Sequence, residues 1–205
     1  MCSVKINDAD SSLIEEFVGS FAKLDEMSAE ETTDPVAWEL SVGERDEYGF
    51  KRWQPIRSDT PRTALEGVYA KLPGRFPRLY ERLVLSYRWA EVELESYRLL
   101  ANPLGQHLNG LVQEMSKDPI LWTFLLRAGY IRFGIGPGGD YDPVCFDLSS
   151  RKDDGDCRIV KIDHEEILCN ERLKVVSELA PTFKSLVLRT IDAANQPSRM
   201  IPGTS

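Results

Sequence analysis

The chain has 205 residues, of which 42% are apolar and 28% are charged, and its formal net charge is −8. These fractions are ordinary for a globular protein, and a chain of this length can bury a core without metal or disulfide support. The longest apolar stretch, at 120–126, is too short for a bilayer span, which needs about 20 residues. We therefore expect a cytoplasmic protein with one domain over 1–195, which includes an acidic N-terminal segment (1–50), and a disordered tail at 196–205.

The negative charge is concentrated at the front of the chain. Residues 1–47 carry thirteen acidic and three basic side chains, and the rest of the chain has a slight basic excess. An acidic region repels nucleic acid and anionic lipid and attracts a basic protein. We therefore expect a protein partner, with neither nucleic acid nor a membrane among the binding targets. The alternative is a solvated acidic surface that only aids solubility.

The spacing of apolar residues predicts the elements in chain order. They are a helix at 11–24, strands at 37–42 and 50–56, a helix from Pro61, a helix at 78–89, helical pieces at 106–115 and 119–127, strands at 130–135, 144–148 and 158–162, and a helix at 177–194. Segment 164–171 is expected to be loop or short strand, and 90–104 leaves helix, strand and loop open. Because helices and strands are segregated, the sequence predicts an α+β fold with a central, mainly antiparallel sheet flanked by helices.

No motif in the sequence points to a catalytic or metal site. The glycine-rich stretch at 134–140 lacks the Lys-Ser/Thr pair of a phosphate-binding loop and is best interpreted as a strand-to-strand turn. Cys145 and His164 could form a thiol hydrolase or a small-molecule sensor if the fold brought them together. A zinc site would draw on Cys145, Cys157, His164 and Cys169, but the close-spaced ligand pairs of structural zinc sites are absent. We expect no cofactor and no enzymatic activity.

Aromatic residues beside acidic ones predict a contact surface for a protein partner, since such pairings are typical of interface hot spots. The candidate contact residues are Trp38, Glu39, Glu44, Asp46, Glu47, Tyr48, Trp53, Asp140 and Tyr141. The alternative for the two tryptophans is that they pack beneath a hairpin.

Four segments resemble the SUKH superfamily, the Smi/Knr-like proteins. LPGRFPRLYERL at 72–83 is similar to the family's helix entry, and GGDYDPVCFD at 138–147 is similar to its glycine–acid turn before a central strand. The strand at 158–162, followed by DHE, and the segment SELAPTFKSL at 177–186 resemble its C-terminal elements. The chain departs from a compact member in its acidic N-terminal segment and in its long helical stretch at 102–129.

The resemblance implies a central sheet flanked by helices and a binding role. Bacterial members of the superfamily are typically immunity proteins that neutralise toxins, many of which are nucleases, and eukaryotic members are regulatory interaction proteins. The family brings no shared catalytic residues to this chain. The resemblance therefore implies a non-enzymatic immunity or regulatory protein whose partner could be a basic toxin.

Overall fold

The N-terminal part of the chain forms a long helix and a small antiparallel sheet. The computed structural model describes residues 8–25, 27–31, 33–105 and 107–196. The elements of this part are α1 (Asp8–Leu24), β1 (Ser28–Ala29), α2 (Pro35–Glu39), β2 (Ser41–Val42) and β3 (Lys51–Trp53). Strand β3 lies between β1 and β2 and pairs antiparallel with both. The predicted helix at 11–24 is thus confirmed. Of the predicted strands at 37–42 and 50–56, only 41–42 and 51–53 belong to this sheet.

The predicted strand at 37–42 is wrong over most of its length, because its first residues belong to α2. The carboxylate of Asp34 caps this helix by accepting a hydrogen bond from the Ala37 N–H at 2.9 Å. Pro35 occupies the first helical turn, where a missing N–H costs nothing and the fixed φ favours helix. A strong local start signal therefore overrides the alternation of apolar and polar residues.

The next part of the chain joins the small sheet to the main one. Its elements are β4 (Ile56–Arg57), α3 (Ala64–Tyr69), α4 (Arg78–Ser86) and β5 (Tyr87–Arg88), and β4 pairs antiparallel with β5. The helix predicted to continue to 89 ends at Ser86, where the chain turns into β5. Arg88, in β5, is only 3% exposed.

The main sheet has six strands, and every neighbouring pair in it is antiparallel. The elements of this part are β6 (Val92–Leu94), β7 (Tyr97–Leu99), α5 (Asn109–Met115), α6 (Pro119–Arg127), β8 (Tyr130–Ile135), β9 (Pro143–Asp147), β10 (Ile159–Ile162), α7 (His164–Asn170), β11 (Val175–Ala180) and α8 (Phe183–Asn195). The strands lie side by side in chain order from β6 to β11. The predicted α+β fold with a mainly antiparallel sheet is confirmed.

Two predictions in the C-terminal part are wrong. Residues 164–170 form α7 rather than loop or strand, because the Asp163 carboxylate accepts from the Glu166 N–H at 3.0 Å and caps the helix. The helix predicted from 177 begins only at Phe183. The residues before it form β11, and Thr182 and Ser185 make a capping box at the start of α8.

Helices cover both faces of the main sheet. On one face α1, α4 and α8 pack around an aromatic cluster in which Phe133 and Phe146 stack with ring centroids 4.2 Å apart. On the other face α6 and α7 enclose a smaller cluster that contains Leu121 and Cys145. The first core includes residues from Ile14 to Ile191, so the acidic N-terminal segment packs on the same core as the rest of the chain.

Two further expectations concern the membrane and the tail. Within the described ranges, no helix combines the length and the apolar character needed to cross a bilayer. Of the tail predicted at 196–205, only Gln196 is described, and 197–205 lies outside the described residues.

Candidate protein-binding surface

The loop that joins β2 to β3 (residues 43–50, the hairpin loop) carries most of the predicted contact residues at exposed positions. Glu44, Asp46, Glu47 and Tyr48 are all exposed, and Tyr48 is 78% exposed. Within the described residues, the carboxylates of Glu44 and Glu47 make no hydrogen bond or ion pair. The loop thus carries an exposed aromatic ring and two exposed acidic groups that pair with none of the described residues.

Asp46 gives this loop its shape. Its Oδ1 accepts hydrogen bonds from the backbone N–H groups of Tyr48 at 2.9 Å and Phe50 at 2.8 Å. The Asp46 N–H in turn donates to the Phe50 carbonyl at 2.8 Å. A short acidic side chain that accepts from the following backbone is the usual way to close a tight turn. Asp46 therefore positions Tyr48, and its charge is partly used within the loop.

The two tryptophans of this region are less available than the sequence suggested. Trp53 is 4% exposed and belongs to the main core, so its assignment as a contact residue is corrected in favour of packing. Trp38 is half-buried, and the Arg45 guanidinium and Lys51 ammonium each lie 4.8 Å from the centre of its ring. The two cations hold the Trp38 ring in cation–π contacts, and the next residue, Glu39, is exposed at the end of α2.

An apolar groove borders the hairpin. It has a volume of about 370 Å³ and lies between α1 and β3, and its lining includes Val18, Gly19, Ala22, Met27 and Val42. Val42 is 43% exposed and Phe50 is 37% exposed. The hairpin thus presents an acidic loop beside exposed apolar side chains.

Sequence reasoning missed the contribution of α1 and Val42 to this groove. Val42 ends the predicted strand at 37–42, and its exposure follows from the pairing of β2 with β3 rather than from local pattern. Gly19 and Ala22 are small, exposed residues on α1, and each follows a buried residue of its apolar stripe, Val18 and Phe21 respectively. Small residues on one helix face are the only sequence signal that could have indicated a groove there.

The β8–β9 turn, which holds the predicted contact residues Asp140 and Tyr141, is built from its own side chains. The Lys161 ammonium lies 2.6 Å from Asp140 Oδ2, and Asp140 Oδ1 accepts from the Asp142 N–H at 2.9 Å. Burial alone would raise the pKa of Asp140, but the hydrogen bonds from Lys161 and the Asp142 N–H, together with the charge of Lys161, outweigh it and lower the pKa below its usual value. A Cβ on Gly136 would lie 2.3 Å from the Asp140 carboxylate, so the turn requires glycine there.

The two predicted contact residues of the turn differ in how available they are to a partner. Asp140 is engaged with Lys161 and offers a partner little net charge. Tyr141 is 65% exposed and touches the His164 ring edge to face, with centroids 6.2 Å apart. The Gly138 N–H donates to Glu93 Oε1 at 2.7 Å, so part of the turn's backbone is already bonded within the chain.

Asp25 connects the hairpin groove to this turn. It lines the groove, and its Oδ2 accepts from the Glu93 N–H at 2.7 Å. Glu93 then contacts Gly138 in the turn, as described above. The predicted contact residues at the surface therefore lie in two regions, α2 with the hairpin loop and the β8–β9 turn, and Asp25 and Glu93 connect the hairpin groove to that turn.

Cys145 and His164 lie in different surroundings. Cys145 is fully buried in the cluster beneath α6 and α7, and burial raises the pKa of its thiol. His164 Nδ1 lies 2.8 Å from Asp142 Oδ1, which also accepts from the His164 backbone N–H. A thiolate nucleophile needs an accessible thiol with a lowered pKa, and Cys145 has neither property.

The cysteines considered as zinc ligands also differ in their exposure. Cys145 and Cys157 are buried, whereas Cys169 is exposed on α7. Burial raises the pKa of Cys157 to about 12. Across the part of the chain that the structure describes, no group of three or more His, Cys, Asp or Glu side chains is placed to hold a metal ion.

No protein-family model matches this chain, and no curated protein matches it either. The resemblance to the SUKH superfamily therefore depends on the four short segments quoted above. In the structure the first of them opens α4 and the second forms the β8–β9 turn and β9. The third contains β10, and the last spans the end of β11 and the start of α8.

Proposed function

We propose that this chain is a non-enzymatic protein-binding module and that its hairpin loop contacts a basic protein partner. The observation that carries the proposal is Tyr48, a highly exposed aromatic residue whose loop is held by Asp46. The same loop carries the exposed carboxylates of Glu44 and Glu47, which pair with none of the described residues. An exposed tyrosine supplies contact area at low entropic cost. Acidic neighbours accelerate the encounter with a basic surface and disfavour acidic competitors.

The biological role that we propose is cytoplasmic immunity or regulation. The SUKH resemblance favours an immunity protein that neutralises a toxin or a regulatory interaction protein. A nuclease toxin must present a basic surface to its nucleic acid substrate. An acidic loop with an aromatic tip could cover such a surface, which is why we favour a basic toxin as the partner.

The alternative, a small hydrolase or a small-molecule sensor that uses Cys145 and His164, has weaker support. The burial of Cys145 and the raised pKa of its thiol weigh against a nucleophilic role. His164 and Asp142 do form a close pair, but a pair of this kind also serves to fix a turn to the start of a helix.

Affinity capture from the native lysate tests the proposed role. The full chain is immobilised in three forms: the natural sequence, the double variant Glu44→Lys with Glu47→Lys, and a control with Asp153→Lys and Asp192→Lys. The two variants change the net charge equally, and the control positions are exposed and lie outside the hairpin. Asp46 is left unchanged because its replacement would also disturb the loop.

The proposal expects a basic protein to be retained by the natural chain and by the control, and to be lost from the hairpin variant. Equal retention by all three forms, or retention of an acidic protein alone, would contradict it. If the chain turned over a small substrate and a thiol reagent blocked that turnover, the result would favour the alternative instead.

A further inference from the structure

Helix α6 is an apolar helix that the chain only partly covers. Its sequence, PILWTFLLR, contains one charged residue, yet only Leu121 and Leu125 are buried. Ile120 is 65% exposed and Phe124 is half-buried. A helix that is apolar around its circumference is normally buried on all sides, so α6 has a face that lacks a covering layer within the described residues.

This face borders a groove between α6 and α7. The groove has a volume of about 650 Å³, larger than the groove beside the hairpin, and Ile120, Thr123, Phe124 and Ile167 contribute to its lining. A contiguous exposed apolar patch on a protein typically marks an interaction site.

The charges at the groove indicate what could cover it. Arg127 and Glu171 both line it and are exposed. Within the described ranges, neither side chain has an ion pair or hydrogen bond. A uniformly acidic or basic partner would satisfy only one of these charges. A second copy of the same surface offers an acid for the base and a base for the acid.

We propose that the α6–α7 groove is a self-association surface on which two copies of the chain pair about a two-fold axis. In such an interface the same patch meets itself, so each contact occurs twice. Ile120 and Phe124 of one copy pack on their counterparts, and Arg127 of each copy pairs with Glu171 of the other. The groove lies on the opposite face of the main sheet from α1, so pairing leaves the hairpin groove open.

The expected dimer is weak. A stable interface buries about 800 Å² on each partner, and one short helix with the end of a second offers less than that. The proposal does not depend on the proposed protein-binding role of the hairpin loop.

Sedimentation equilibrium of the full chain over roughly a hundredfold range of concentration tests the proposal, since mass action favours the dimer at the upper end. The weight-average mass of the natural chain should rise from 23.2 kDa toward twice that value. Ile120→Asp should remain monomeric throughout, and Thr123→Arg is a second variant in case the first folds poorly. Leu188→Asp is the matched control, because Leu188 is also exposed but lies on α8, and it should dimerise like the natural chain.

A charge swap tests the pairing itself. Arg127→Glu and Glu171→Arg should each weaken association by roughly fivefold, and the double variant should restore it. A natural chain that stays monomeric over the whole range would overturn the proposal and assign the groove to another molecule. A dimer that survives both Ile120→Asp and Thr123→Arg, or a double variant no stronger than the single ones, would overturn it as well.

Discussion

Arg88 and Asn102 donate hydrogen bonds to the same two backbone carbonyls at the end of α4. The Arg88 guanidinium reaches the Val84 carbonyl at 2.7 Å and the Tyr87 carbonyl at 3.2 Å. The Asn102 amide reaches them at 3.0 and 2.7 Å, respectively. Because the last carbonyls of a helix lack partners within it, these two buried side chains complete α4 and fix it to the strands that follow.

We predict that Asn102→Ala lowers the free energy of unfolding by about 1–3 kcal/mol, since a buried amide that supplies two hydrogen bonds is lost. Urea denaturation of the two proteins measures the difference. The control is Asn109→Ala, at an exposed position, for which a change within about 0.5 kcal/mol is expected. Equal stability of Asn102→Ala and the natural chain would show that Arg88 suffices to complete the helix.

The ion pair between Asp147 and Arg158 predicts a pH-dependent contribution to stability. The Asp147 carboxylate is buried, and it accepts from Arg158 Nε at 2.8 Å and from the Ser149 N–H at 3.0 Å. Burial alone would raise the pKa of Asp147, but the hydrogen bonds from Ser149 and Arg158 outweigh it and lower the pKa below its usual value. Stability from such a group is complete above the unfolded pKa, about 3.9, and is lost as the pH falls below it.

Asp147→Asn should therefore destabilise the protein by about 2 kcal/mol at neutral pH. The difference from the natural chain should shrink as the pH falls below about 4. Urea denaturation at a series of pH values measures it, with exposed Asp153→Asn as the control. A difference that stays constant from neutral to acidic pH would contradict the assignment.

We predict that Asp46→Ala loosens the hairpin loop without unfolding the protein. The substitution removes the acceptor for the Tyr48 and Phe50 N–H groups. Amide hydrogen exchange at these two residues should become faster, while exchange in β8 and β9 stays the same. Glu47→Ala is the matched control, because its exposed carboxylate makes no hydrogen bond with any residue that the structure describes. Unchanged exchange at Tyr48 would mean that the backbone alone holds the turn.

Thiol labelling separates the packing role of Cys145 from a catalytic one. In a Cys2→Ser background, Cys169 should react quickly at neutral pH, and Cys145 and Cys157 should react only when the chain opens. Because burial raises the pKa of both buried thiols, their slow reaction should persist at mildly alkaline pH. Removal of Cys169 should abolish the fast phase. If a fast phase remained after Cys169 was replaced, and was lost only when Cys145 was replaced as well, the result would support the hydrolase alternative.

The fold class and most of the main sheet could be predicted because their signals are local. Helix α1 has a continuous apolar stripe, and β8, β9 and β10 are short apolar runs separated by turn residues. The starts of α2 and α7 also had a local signal, an acidic N-cap in each case. At α2 the alternation of apolar and polar residues favoured a strand instead, and at α7 the N-cap stood within a cluster of acids. The sequence did not reveal the boundary between β11 and α8, because the apolar residues of both elements fit a single helical period.

The candidate surface was predictable only in part. Exposed acids and Tyr48 follow from composition, since a polar stretch between two strands is a loop. The burial of Trp53 and the pairing of Asp140 with Lys161 depend on contacts between distant parts of the chain. The groove between α1 and β3 likewise forms only when the small sheet packs on the helix. Such contacts leave no periodic signal in the sequence.

The association rate between this chain and the partner captured from the lysate tests the central claim most directly. At low salt, Glu44→Lys with Glu47→Lys should slow association and weaken binding by about tenfold or more, and the Asp153→Lys and Asp192→Lys control should bind like the natural chain. Binding of the hairpin variant at the natural rate and affinity would contradict the claim that the hairpin loop recognises a basic partner.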